Sequence, residues 1–225
     1  MMLRRIKGII GGHFLELLAV NTLLVFALLP GTALLSVFRQ TGLAAAWALA
    51  GPAFGLAGAV YPPVIFVLTS LLDGTTVYLG RDLLGALRAS WLRGGVTGCA
   101  AGWSAGAAVL ALRGAAAFSP WGAAAAIWLC WLAAGIYTGL FFQYARIEAP
   151  AIAQVRNSVV LPVACGLRGA AAILIQLALA CLFPITALLP LWLLGVPALV
   201  ELCAAALLWP PMRRLYEGDG DGAAE

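Results

Sequence analysis

The stretch LELLAVNTLLVFALLPGTALLSVF, residues 15–38, carries one charged side chain, Glu16. As a helix it is about 36 Å long, enough to cross the roughly 30 Å hydrocarbon core of a bilayer. Stretches of this kind recur along the chain. Of its 225 residues 64% are hydrophobic and only 10% charged, and the mean hydropathy is +1.02. Such a composition is soluble in lipid and not in water. The fold class expected is therefore all-α: a polytopic membrane helix bundle of about six transmembrane helices, accompanied by interfacial amphipathic helices. It forms a single domain, residues 1–216, followed by an acidic, glycine-rich tail, residues 217–225, with nothing apolar to bury and hence expected to be disordered.

Arg4, Arg5 and Lys7 precede the first apolar run, as in a signal peptide. The length of the run and the lack of a small-residue cleavage site favour an uncleaved span. Pro30 is expected to kink it, leaving a freed carbonyl for Thr32 or a neighbouring helix to satisfy. The second span, residues 47–71, contains Gly51-Pro52 and Pro62-Pro63 and is expected to be bent or interrupted. Residues 79–93 set Leu79, Leu83, Leu84, Leu87 and Trp91 on one helical face and Arg81 and Arg88 on the other, the pattern of an interfacial helix whose arginines meet anionic headgroups.

In the third span, residues 94–112, Gly94, Gly98, Gly102 and Gly106 recur every fourth residue, a smooth stripe for close helix packing. Gly51/Gly55 and Gly135/Gly139 repeat the spacing in the second and fourth spans, the latter at residues 121–144. An amphipathic segment, residues 146–160, leads into an apolar run, residues 161–209, long enough for two spans joined by a tight turn near Pro184 to Pro190. The echo of residues 30–35 (PGTALL) in 184–189 (PITALL) suggests a parallel internal repeat.

With six spans, Arg4, Arg5, Lys7, Arg81, Arg88, Arg93, Arg146, Arg156, Arg213 and Arg214 fall on one side of the membrane and only Arg39 and Arg113 on the other. The bias toward cytoplasmic basic loops places both termini in the cytoplasm. The net charge of +4 is thus spread over span ends as topology signals, and no basic, aromatic-rich surface for nucleic acid is present.

Intramembrane charges are costly and are the first candidates for function. Glu16 starts the first span, whereas Arg168 and Glu201 lie within the fifth and sixth, at depths that differ by about 5 Å when counted from their shared turn. An ion pair between them is expected, as a structural latch or as a substrate or proton site. Asn21 and Gln176 read as interhelical hydrogen-bonding residues. Asp73 reads as a turn residue, and Asp82 as a first-turn helix charge. Cys99, Cys130, Cys165, Cys181 and Cys203 sit in apolar runs without a Cys-x-x-Cys pair, and His13 is the only histidine, so no metal or other cofactor is expected. The motifs of triad hydrolases, zinc proteases and phosphate loops are missing, so no catalytic residues are assigned and an enzyme is not expected.

Asn21 and the run ending Leu29-Pro30, Gly51-Pro52-Ala53, the amphipathic helix at 82–91, Phe141-Phe142 before Arg146, then Asn157, Arg168 and Phe183-Pro184 together resemble the YesL-type family of small bacterial integral membrane proteins of unknown function. Val25 departs from the Trp frequent in that family, and Leu83-Leu84 from an aromatic. The resemblance implies a multi-pass protein of the bacterial plasma membrane linked to carbohydrate uptake. It also implies an association with ABC-type sugar importers, and the first expectation is an accessory or scaffolding subunit that contacts such an importer through its glycine stripes and cytoplasmic helices. The alternative expectation is a small secondary transporter with a midplane site near Arg168 and Glu201, beside the interrupted second span.

Overall fold

The computed structural model describes residues 2–182 and 189–217, and every regular element among them is helical. In chain order these are α1 (Met2–Gly12), α2 (Phe14–Thr41), α3 (Ala44–Asp73), α4 (Leu79–Phe118), α5 (Pro120–Arg146), α6 (Ala151–Ala164), α7 (Gly166–Leu182), α8 (Leu189–Leu193) and α9 (Val196–Glu217). Four of them, α2 to α5, are long and apolar enough to cross a membrane, and the pair α6 and α7, bent by 97° at its junction, makes a fifth if it counts as one span. The echo at 184–189 and the tail from 217 onward lie almost wholly outside the described residues, as does most of the turn expected before Pro190.

Helix α3 is the centre of the bundle: 72% of its most apolar window is buried, against 22% for α4. It contains three prolines, yet Pro52, Pro62 and Pro63 lie inside one continuous helix, so the expected interruption of the second span is absent. The neighbouring helix supplies the reason. Pro52 cannot donate to Ala48, and the Ala48 carbonyl instead accepts from the indole Nε1 of Trp103 on α4 at 3.2 Å. In return Trp47 on α3 donates to the Trp103 carbonyl at 3.1 Å. Pro30 is likewise accommodated within a continuous α2, although Thr32 bonds to Leu28 and Leu29 rather than to the Phe26 carbonyl that proline leaves free.

The stripe on α4 has its expected role. A Cβ on Gly94 would collide with the Gly58 carbonyl, one on Gly98 with the Phe54 carbonyl, and one on Gly106 with the Trp47 ring. At Gly102 it would stand 2.8 Å from the Phe54 side chain. Gly51 lies under Trp103 in the same way, so each tryptophan covers a glycine of the opposite helix. No side chain separates the two backbones at Gly58 and Gly98, which gives the helices extensive dispersion contact in a solvent where the hydrophobic effect is weak.

Two boundaries differ from expectation. The amphipathic segment 79–93 and the third span are not separate: α4 runs 40 residues without a break, about 60 Å, twice the thickness of a bilayer core. Leu79 and Leu83 pack against the core, while Arg81 and Arg88 are exposed. In the last third of the chain, Gly166 (φ 54°) ends α6 against α7 and Gly195 (φ 115°) ends α8 against α9. Both adopt backbone angles that only glycine takes without strain.

The core gathers Leu17, Val20 and Leu24 of α2, Val64, Ile65 and Leu68 of α3, Phe142 of α5, and Leu202, Leu208 and Met212 of α9. The outer surface is apolar as well, with Trp121 at 85% exposure and Phe26, Ile127, Trp128 and Leu129 all exposed. A water-soluble protein rarely shows so extensive an apolar exterior. Gly98→Ala, which drives a methyl group into the Phe54 carbonyl, is expected to lower stability by about 1–3 kcal/mol, read as an earlier thermal transition in detergent. Gly114→Ala, where nothing lies within 4 Å of the new methyl, serves as the silent control.

Candidate functional site

Glu201 is brought into place by the start of α9. Asn21 of α2 donates through Nδ2 to the Trp192 carbonyl at 2.8 Å and accepts from the Ala198 backbone N–H through Oδ1 at 3.2 Å. This buried amide bridges the break at Gly195 and sets the height of α9 against α2. Asn21 thereby acts as the interhelical hydrogen-bonding residue expected of it.

At that height Glu201, 6% exposed, faces Tyr61 of α3 and Gln176 of α7. Tyr61 donates its O–H to Glu201 Oε2, and Gln176 Nε2 donates both to the same oxygen at 2.8 Å and to the Tyr61 oxygen at 2.8 Å. Thr138 of α5 completes the cluster, donating to Gln176 Oε1 at 2.8 Å. Tyr61 stands about 18 Å along α3 from its Asp73 end and about 26 Å from its Ala44 end, so the cluster is near the middle of the bundle.

Arg168 is not part of it. It lies exposed in the first turn of α7, and no ion pair joins it to Glu201 among the described residues. Gln176, eight residues further along α7, occupies the position expected for the arginine, about 12 Å deeper. Counting depth from a turn presumes helices without breaks, and the interruption at Gly195 alters the register on which the pairing rested. Tyr61 and Thr138, both missed in the sequence, were detectable only as hydroxyls inside apolar spans.

A second polar node lies at one end of the bundle. Asp73, the last residue of α3, accepts from Trp209 Nε1 at 3.0 Å and pairs with Arg146 at 3.6 Å and Arg213 at 3.5 Å. Arg146 also donates to Thr69 at 2.6 Å and Ser70 at 2.9 Å, and its guanidinium stacks between the Phe66 and Trp209 rings. Asp73 is therefore more than the turn residue read from the sequence, whereas Asp82 holds its expected place in the first turn of α4, accepting from the Tyr78 N–H at 2.8 Å.

Beside this node opens a cleft of about 970 Å³ between the first half of α4 and the corner joining α5 to α6. Arg81, Ser90 and Arg93 line one wall, Tyr144, Arg146 and Gln154 the other, and Phe66 the base. Gln143 and Gln154 hold the corner, the first donating to the Gln154 carbonyl and the second to the Ile147 carbonyl, each at 2.9 Å. Among the described residues no three His, Cys, Asp or Glu side chains gather as metal ligands.

No family model, curated protein or solved structure matches this chain. Replacing Gln176 with Leu leaves the Thr138 hydroxyl and Glu201 without their shared partner inside the bundle. The expected cost is about 2 kcal/mol, seen as a lower thermal midpoint. Gln176→Glu, which sets a second carboxyl against Glu201 in the same buried site, is expected to lose at least as much.

Proposed function

We propose that the chain is a six-span protein of the bacterial plasma membrane with both termini in the cytoplasm. On this reading α2, α3, α4, α5, α7 and α9 cross the bilayer, and the first halves of α4 and α6 run at the cytoplasmic interface. Side-chain contacts support it. Asp73, Arg146 and Arg213, all assigned to the cytoplasmic side by the charge bias, meet in one node. Arg113 donates to the Arg39 carbonyl, joining the two basic residues assigned to the outside.

We further propose that it serves as an accessory or scaffolding subunit in carbohydrate uptake, seated against an ABC-type importer, as the resemblance to YesL-type proteins implies. The observation that supports this reading is the large cleft lined by Arg81, Arg93 and Arg146; on the proposed topology it would open toward the cytoplasm, the side on which a partner's loops and ATPase subunits would meet it. The alternative, a small secondary transporter, loses two of its supports, since α3 is uninterrupted and Arg168 is remote from Glu201. It keeps one, the buried carboxyl of Glu201.

Two measurements test these statements. In a background free of the five native cysteines, Arg88→Cys and Arg156→Cys should react with an impermeant maleimide only from the cytoplasmic side, and Arg39→Cys only from outside; the reverse pattern overturns the topology. A photoreactive benzoylphenylalanine at Ala89, in the cleft, should form adducts with importer permease or ATPase subunits in cells. No such adduct, together with sugar accumulation by liposomes that hold the purified protein alone, would establish the transporter reading instead.

A further inference from the structure

The closed cluster around Glu201 has a directional order that a simple latch does not require. Thr138 donates to Gln176, Gln176 donates to Tyr61 and to Glu201, and Tyr61 donates to Glu201, so every hydrogen in the chain points toward one carboxyl oxygen, Oε2. Oε1 has no hydrogen-bond partner among the described residues. All the donors are neutral, and among the described residues no cation pairs with the carboxyl. An ionised carboxylate in this setting would be an isolated charge near the middle of an apolar bundle, a condition that costs several kcal/mol. A carboxylic acid fits the same geometry: its carbonyl oxygen, Oε2, accepts both bonds, while the O–H resides on Oε1.

We propose, resting on the six-span reading in which α9 crosses the bilayer, that Glu201 is a proton-binding site within the membrane, which takes one proton from the aqueous phase to form the Oε1–H bond and returns it when the carboxyl is rehydrated. The groups on every element packed against α9 agree with this. On α3 the titratable contact is Tyr61, and Asp73 is engaged with Arg146 and Arg213 at the far end. On α7 Arg168 is exposed, and on α2 Glu16 pairs with His13 at 3.3 Å while Arg39 sits in the last turn. Among the described residues Arg4, Arg5 and Lys7 of α1 form no ion pair with Glu201, α8 carries no titratable side chain, and on α9 itself Cys203 is a free thiol. The site does not depend on whether a partner occupies the cleft.

Infrared spectroscopy of the purified protein in lipid nanodiscs reads the proton directly. At neutral pH the wild type should show the C=O band of a protonated carboxyl, shifted by D2O and lost in Glu201→Gln, whose amide oxygen still accepts from Tyr61 and Gln176. Alkaline titration should abolish the band. Tyr61→Phe should move that loss to higher pH, because the missing donor stabilises the anion more than the acid. Wild type labelled with carboxyl-13C glutamate gives the same reading without a substitution at 201, since the band must shift with the isotope. An isotope-insensitive region with no band at neutral pH overturns the proposal, and so does a band removed at constant pH by sodium, which would mark a metal-cation site.

Discussion

The close approach of α3 and α4 at Gly58, Gly94 and Gly98 is the constraint on which the rest of the structure depends. Three prolines in α3 would weaken an isolated helix, because each removes a backbone donor and frees a carbonyl. With α4 against it, α3 stays continuous, and Trp103 takes over the carbonyl freed by Pro52. Helix α3 then contributes to both the Glu201 cluster and the Asp73 node: Tyr61 near the middle of the bundle, and Thr69, Ser70 and Asp73 at its end.

Those assemblies stand about 18 Å apart along α3, measured from Tyr61 to Asp73, and they recruit nearly the same helices. The inner one joins α3, α5, α7 and α9 through neutral hydrogen bonds and one carboxyl. The outer one joins α3, α5 and α9 through charges at the end of the bundle. Apolar packing alone tolerates sliding and rotation between helices in lipid, because one aliphatic surface resembles another. Two sets of directional bonds at different heights define both the register and the rotation of α5 and α9 against α3.

Much of this was legible in the sequence. The apolar runs that became α2 to α5 stand out by length, and the glycine stripe by its spacing, because both are local properties of the chain. The partners of Glu201 are not local. Its cluster depends on where α9 begins, which is set by the backbone break at Gly195 and by Asn21, 177 residues away from the Ala198 N–H it caps. Opposite charges at similar depth attract, which singles out Arg168 in the sequence, but the arginine stands exposed at the start of α7 while the amide of Gln176 is carried inward. The continuity of α4 was hidden for a related reason: Arg88 and Arg93 mark a change of environment along the helix, and a change of environment does not require a change of backbone.

That continuity gives α4 a mechanical property. A single rod about 60 Å long, seated on α3 through its middle third, behaves as a lever whose fulcrum is the glycine contact. Gly98 lies 19 residues, about 28 Å, from the tip at Leu79, so a rocking of about 5° at the fulcrum sweeps that tip through about 2.5 Å. Anything grasping the arginine-bearing arm would thus be coupled by leverage to the opposite end of the bundle.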